Sequence, residues 1–85
     1  MADLDELARR EGETWAKDRL QQLIQLDRPI PRIWPGLIAV AYMVAEDLAD
    51  NGIIASTEVR RLAERINECA ARTWSAMARR RREIA

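Results

Sequence analysis

Few residues in this chain have the chemistry that enzymes need. The 85 residues include no His, the side chain that most often transfers protons near neutral pH, and only three Gly, too few for a glycine-rich phosphate loop. Ser56 and Ser75 have no recognisable partner that would activate a hydroxyl nucleophile. Cys, Asp and Glu show no spacing typical of a metal site. We therefore expect a protein that is not an enzyme and that uses neither a metal nor a cofactor.

The single cysteine and the hydropathy pattern predict the compartment. Cys69 cannot form an internal disulfide bond, and a reducing environment is the simplest expectation. Three of the first six residues are acidic, and this segment lacks the apolar core of a signal peptide. The longest nearly apolar stretch, residues 33–45, is interrupted by Pro35 and Gly36 and is too short to cross a membrane. These features predict a cytoplasmic protein without membrane contacts.

Arginine dominates the positive charge. The 14 basic residues balance 14 acidic residues, and 13 of the 14 are Arg. Four consecutive arginines end the predicted third helix, where positive charge stabilises a helix C-terminus and is available to a partner: Arg79, Arg80, Arg81 and Arg82. Four arginines also fall on one line of that helix, as contacts along phosphates would require: Arg61, Arg65, Arg72 and Arg79. Acidic side chains interrupt this line, which weakens the case for nucleic-acid binding.

A proline-rich segment over residues 27–34 supplies the other candidate contact residues. Pro29 and Pro31 cannot lie inside a helix, so the segment is predicted to be an extended linker. One interpretation is a rigid spacer whose Ile30, Ile33 and Trp34 fold back on the core. The other is a recognition segment, since Arg and Trp are the residue types that dominate interface hot spots. On that interpretation the contact residues are Arg28, Arg32 and Trp34.

Hydrophobic periodicity predicts three helices, over about residues 3–26, 35–50 and 57–82. Asp3 is the expected N-cap of the first helix. The apolar stripe of that helix shifts after Gly12, so either the helix kinks there or its two halves face different partners. The third helix keeps one apolar stripe over its whole length, and Cys69 lies on it as a core residue.

The second helix is apolar on almost every side, which predicts a central, buried position. Pro35 is its expected first residue, and Asn51-Gly52 its stop. Three acidic residues cluster at its C-terminal end: Glu46, Asp47 and Asp50. They either pair with Arg60 or Arg61 across the turn, remain in water, or form an acidic patch for a basic partner.

The predicted architecture is a single all-α domain over residues 1–85. In it, two long helices surround a shorter, mostly apolar central helix in a small three-helix bundle. Because the short helix cannot cover both long ones, we predict a homodimer, in which a second copy covers the remaining apolar positions.

The leading hypothesis for function is a non-enzymatic interaction protein that binds a larger protein and inhibits or adapts it. Size and composition are typical of bacterial or phage-encoded regulatory proteins of this kind. The second hypothesis is a dimeric nucleic-acid-binding transcriptional regulator that uses the arginine line of the third helix. A third is a structural subunit of a larger assembly.

Overall fold

The computed structural model describes the backbone of residues 3–84 and the side chains of residues 3–81. Every regular element in this range is helical, as predicted: α1 (Leu4–Gln25), α2 (Ile38–Asp50) and α3 (Val59–Ile84), with a short 3₁₀ turn over Ser56–Glu58 before α3. None of the described helices combines the length and the apolar composition that a membrane span requires.

The first helix begins and ends as local chemistry dictates. The backbone N–H of Asp5 donates to the side chain of Asp3 at 3.0 Å, which confirms Asp3 as the N-cap. At the other end, Asp27 adopts a positive φ of 51°, and the N–H of Arg28 donates to the carbonyl of Leu23 at 2.9 Å. This left-handed turn satisfies a terminal carbonyl and directs the chain back towards the bundle.

Gly12 lies at the closest approach of α1 and α3. A Cβ atom added to Gly12 would lie 2.7 Å from Cβ of Cys69 and 2.8 Å from both the Ala70 nitrogen and the Ile66 oxygen. Only a residue without a side chain fits there. The helix is continuous through Gly12, so the shift in its apolar stripe reflects two different packing partners for its two halves.

The central helix is α3, and the prediction of a central α2 is wrong. Both α1 and α2 pack on α3, while in the described chain α1 and α2 make no close backbone approach to each other. Of the α2 residues, only Ala41 and Ala45 are buried. A helix that is apolar on every side does not reveal which side is covered. The continuous stripe of α3 determines the arrangement here, because it offers a packing surface along its whole length.

The second helix also begins later than predicted, at Ile38 instead of Pro35. The indole ring of Trp34 folds directly over Gly36, and residues 35–37 lie outside the helix, with Leu37 in an extended conformation. The helix ends at Asp50 as predicted, and Gly52 follows with a φ of 74°. The segment between α1 and α2 therefore covers residues 26–37.

Two apolar clusters lie along α3. The first joins the start of α1 and the packing face of α2 to the first half of α3, with Leu62 and Ile66 at its centre. The second joins the end of α1 and the interhelical segment to the middle of α3, with Trp74 at its centre. Trp15 contacts both clusters. The interhelical segment is thus part of the core.

Candidate protein-binding surface

The structure places Trp34, a predicted contact residue, inside the bundle. Its ring lies between those of Trp15 and Trp74, with centroid distances of 4.7 Å and 5.3 Å. The first pair is edge to face, the arrangement that aromatic quadrupoles favour. We call Trp15, Trp34 and Trp74 the tryptophan cluster. Trp34 therefore supports the fold, as the spacer interpretation of its segment predicts.

Two hydrogen bonds hold the tryptophan cluster in place. Trp34 Nε1 donates to Oδ1 of Asn67 at 3.0 Å, and Trp74 Nε1 donates to the carbonyl oxygen of Pro31 at 2.9 Å. Each bond joins the interhelical segment to α3 and satisfies an indole N–H that would otherwise be buried without a partner. The spacer interpretation is correct for Ile30 and Trp34, but Ile33 is 81% exposed.

The other predicted contact residues of this segment remain accessible. Arg28 and Arg32 are both exposed. Among the described side chains neither takes part in an ion pair. Arg79, Arg80 and Arg81 are also exposed at the end of α3. The side chain of Arg82 lies outside the described part of the chain.

The arginine line predicted on α3 is partly neutralised. Arg65 forms an ion pair with Asp5 of α1, and Arg72 lies 4.0 Å from Glu68. Only Arg61 and Arg79 of the line form no ion pair with a described side chain. A phosphate backbone would meet alternating charges here, which does not favour nucleic-acid binding.

Charge on α1 is also paired locally. Arg9 donates to Glu6 at 2.5 Å and lies 3.6 Å from Glu13. The hydrogen bond from Arg9, together with the positive charge of Arg9, holds the pKa of the Glu6 carboxyl below its ordinary value. The same hydrogen bond and the negative charge of Glu6 raise the pKa of Arg9. Both side chains are exposed, so this pair contributes to helix stability and does not form a site.

The main unpartnered surface lies on α2 and was missed by the sequence analysis. Leu37 and Met43 are each 68% exposed, and Val40 between them is 37% exposed. Their spacing of three residues places them along one ridge on successive turns, and Met43 lies opposite the buried Ala41 and Ala45. We call Leu37, Val40 and Met43 the α2 face. The sequence does show apolar residues on almost every side of α2, but this pattern does not predict which side remains exposed to solvent.

A groove runs beside the α2 face, where α1 and α2 diverge. It encloses about 410 Å³. Its walls combine apolar and polar side chains: Trp15, Asp18, Arg19, Gln22, Pro35, Gly36, Leu37 and Val40. Because Leu37 and Val40 belong to both surfaces, the groove and the α2 face form one continuous apolar area with a polar rim.

The acidic residues of α2 lie at the far end of this area. Glu46, Asp47 and Asp50 are exposed. None of them pairs with Arg60 or Arg61 in the structure, since Arg60 contacts Glu64 at 3.2 Å. The last turn of α2 contains no basic residue, so three negative charges lie at the negative end of the helix dipole. This arrangement is locally unfavourable and leaves the charges available to a basic group.

The chemistry of the described residues offers no other site. No group of three His, Cys, Asp or Glu side chains there could hold a metal ion. Cys69 is half-buried against the first apolar cluster, as expected for a core residue. No family model, curated protein or solved structure matches the chain.

Proposed function

We propose that the protein is a non-enzymatic helical interaction protein that binds a larger protein and inhibits or adapts it. The observation that carries this proposal is the exposed α2 face. Three large apolar side chains on one helical stripe, beside an open groove, are unusual on a small soluble monomer and are typical of protein-binding surfaces.

The surroundings of the α2 face support protein binding over other uses. An apolar centre with a polar rim is the usual anatomy of a protein interface, and Arg is enriched at such interfaces. Arg19 lines the groove next to Leu37, and Arg28 and Arg32 lie exposed in the preceding segment. In this proposal they contact acidic groups of the partner at the edge of the surface.

The arginines at the end of α3 supply a second contact. Arg79, Arg80 and Arg81 are exposed near the end of α3, in a molecule that measures 43 Å along its longest axis. With Arg82 they form a concentrated positive charge. A partner with an acidic surface would be attracted to it, chiefly through a faster association rate.

Site-specific photo-crosslinking tests this proposal in cells that express the protein. A photoreactive amino acid at position 43 should form a covalent adduct with a discrete protein, identified by its mass. The matched control is the same amino acid at position 75, where an exposed serine lies in the part of α3 that packs on α1. Equal adducts from both positions, or none from position 43, would contradict the proposal.

Nucleic-acid binding is tested separately by fluorescence anisotropy with a random duplex at low and physiological salt. A salt-sensitive affinity that falls when Arg61 and Arg79 become glutamine would favour the second hypothesis instead. We expect no binding, since ion pairs occupy Arg65 and Arg72.

A further inference from the structure

We propose that the α2 face binds a second copy of this chain, in a two-fold symmetric pair with antiparallel α2 helices. The inference rests on the proposed function in one respect, namely that the α2 face binds a protein. It identifies that protein as the chain itself. The exposed arginines at the end of α3 then remain for the larger partner.

The first argument is the distribution of charge around the α2 face. In a two-fold interface each patch meets its own copy, so the patch must complement itself. Antiparallel helices achieve this when one end of the patch is basic and the other acidic. On the N-terminal side, Arg19 lines the groove beside Asp18, and Arg28 and Arg32 are exposed in the segment that leads to α2. On the C-terminal side, Glu46, Asp47 and Asp50 are exposed, and the last turn of α2 contains no basic residue. An antiparallel pair therefore brings each acidic end next to the partner's basic end.

The ends of α2 show the same complementarity in their backbone. Leu37 is the N-cap residue and makes no side-chain hydrogen bond to the first N–H groups of α2. Free N–H groups at a helix N-terminus favour a negative charge nearby. The acidic C-terminal end of the second α2 supplies that charge in the antiparallel arrangement. It does not do so in the parallel one, where like ends meet.

The third argument is surface area. The chain exposes 6140 Å². A compact monomer of its mass exposes about 5,200 Å², so about 900 Å² is in excess. This excess belongs to the whole elongated molecule, and it leaves room for a standard interface, which buries about 800 Å² on each partner. The radius of gyration of 13.8 Å is likewise larger than the roughly 12 Å of a compact domain of this length.

The arrangement at the centre of the pair follows from the spacing on α2. If the two-fold axis passes near Val40, Leu37 of one copy meets Met43 of the other on both sides of the axis. Each copy then covers the side chains that are most exposed in the single chain. The rise of 1.5 Å per residue places these paired contacts about 9 Å apart along the helices, within one continuous patch.

Sedimentation equilibrium or light scattering of the purified protein tests the pair. At about 100 µM, above the micromolar end of the affinity range for interfaces of this size, we expect twice the chain mass. For Met43→Glu we expect a rise in the dissociation constant of about 30-fold or more, as for an interface hot spot. The matched control is Leu26→Glu, which changes a side chain of 66% exposure outside the α2 face and should leave the pair intact.

A charge exchange tests the antiparallel orientation. Asp47→Arg and Arg32→Glu should each raise the dissociation constant by up to about 25-fold, because each change is present in both copies and removes two exposed ion pairs, each worth up to about fivefold. The variant that carries both changes should recover most of the affinity, because opposite charges meet again. Both residues involved in this exchange are exposed, and circular dichroism should show unchanged helix content.

Three results would overturn the inference: a monomer at this concentration, equal disruption by Leu26→Glu and Met43→Glu, or no recovery in the charge-exchange variant. The proposed function fails separately. A monomeric protein that still forms a crosslink from position 43 to a different protein retains the proposed function and loses only the inference. A dimer whose position 43 crosslinks only to a second copy, and in which a photoreactive amino acid at the exposed position 80 captures no other protein, retains the inference and loses the proposed function.

Discussion

Large apolar side chains in and near the segment between α1 and α2 form two regions, the tryptophan cluster and the α2 face. The two regions differ in how far the rest of the chain covers them. The tryptophan cluster is largely covered by its own chain. Trp74 is only 1% exposed, Trp15 and Trp34 are half-buried, and the indole N–H groups of Trp34 and Trp74 are both hydrogen-bonded. The α2 face is open, with Leu37 and Met43 each 68% exposed. Similar residue types thus serve the fold in one region and remain available for binding in the other.

The difference shows that side-chain type is a poor guide to function in this chain. Trp34 has the chemistry of an interface hot spot, yet its hydrogen bond to Asn67 and its contacts with two other indoles commit it to the core. Met43 has no distinctive chemistry, yet it lies exposed beside a groove. Trp34 already has hydrogen-bond and packing partners within the fold, whereas Met43 is largely exposed. The following predictions test this difference.

The largest effect is expected at Trp74. Trp74→Ala removes a fully buried ring and leaves the Pro31 carbonyl without its donor, so we expect a loss of about 3–5 kcal/mol in the free energy of unfolding. Urea denaturation followed by circular dichroism measures it. Leu26→Ala, at an exposed position, should change stability by no more than about 0.5 kcal/mol. Similar losses in both variants would mean that the tryptophan cluster is not a closed core.

A second effect is expected at Gly12, where the two apolar clusters meet. In an exposed helix interior, Gly→Ala stabilises by about 1 kcal/mol through helix propensity. Here the added Cβ would lie 2.8 Å from two backbone atoms of α3, and α3 must move. We therefore expect Gly12→Ala to destabilise the protein by about 1–3 kcal/mol, the usual cost of overpacking. A stabilised variant would show that α1 and α3 are not in such close contact.

The Trp34–Asn67 hydrogen bond should contribute less. Trp34→Phe keeps an aromatic ring but removes the N–H donor, and Asn67→Ala removes the acceptor. A double-mutant cycle in urea denaturation should give a coupling free energy of about 1 kcal/mol, the usual net value of such a bond. A coupling near zero would indicate that ring packing alone holds Trp34, and the segment would again be a candidate for recognition.

These regions also show how far the sequence predicts the molecule. The three helices, the Asp3 N-cap and the stop after Asp50 depend on local chemistry and were predicted. The burial of Trp34 and Trp74 depends on hydrogen bonds between residues 33 and 43 positions apart, which no local pattern reveals.

The position of α2 was mispredicted because apolar residues surround that helix. Packing against α3 selects the side with Ala41 and Ala45, since small residues allow the closest approach of the two backbones. The larger side chains of Val40 and Met43 consequently remain exposed. The candidate site therefore depends on which side of α2 packs against α3. Composition and periodicity do not predict that side.

The smallest effect on the fold is expected at Met43, and it separates stability from association. Met43→Gln exchanges an exposed side chain, so the unfolding free energy of the single chain should change by no more than about 0.5 kcal/mol. If two chains associate through the α2 face, the melting temperature of the original protein must rise with protein concentration, because association stabilises only the folded state. The variant should lose this concentration dependence while keeping the melting temperature that the original protein shows when dilute. A variant that melts earlier than the dilute original would place Met43 in the core of the single chain, and the contrast between the closed and the open region would no longer hold.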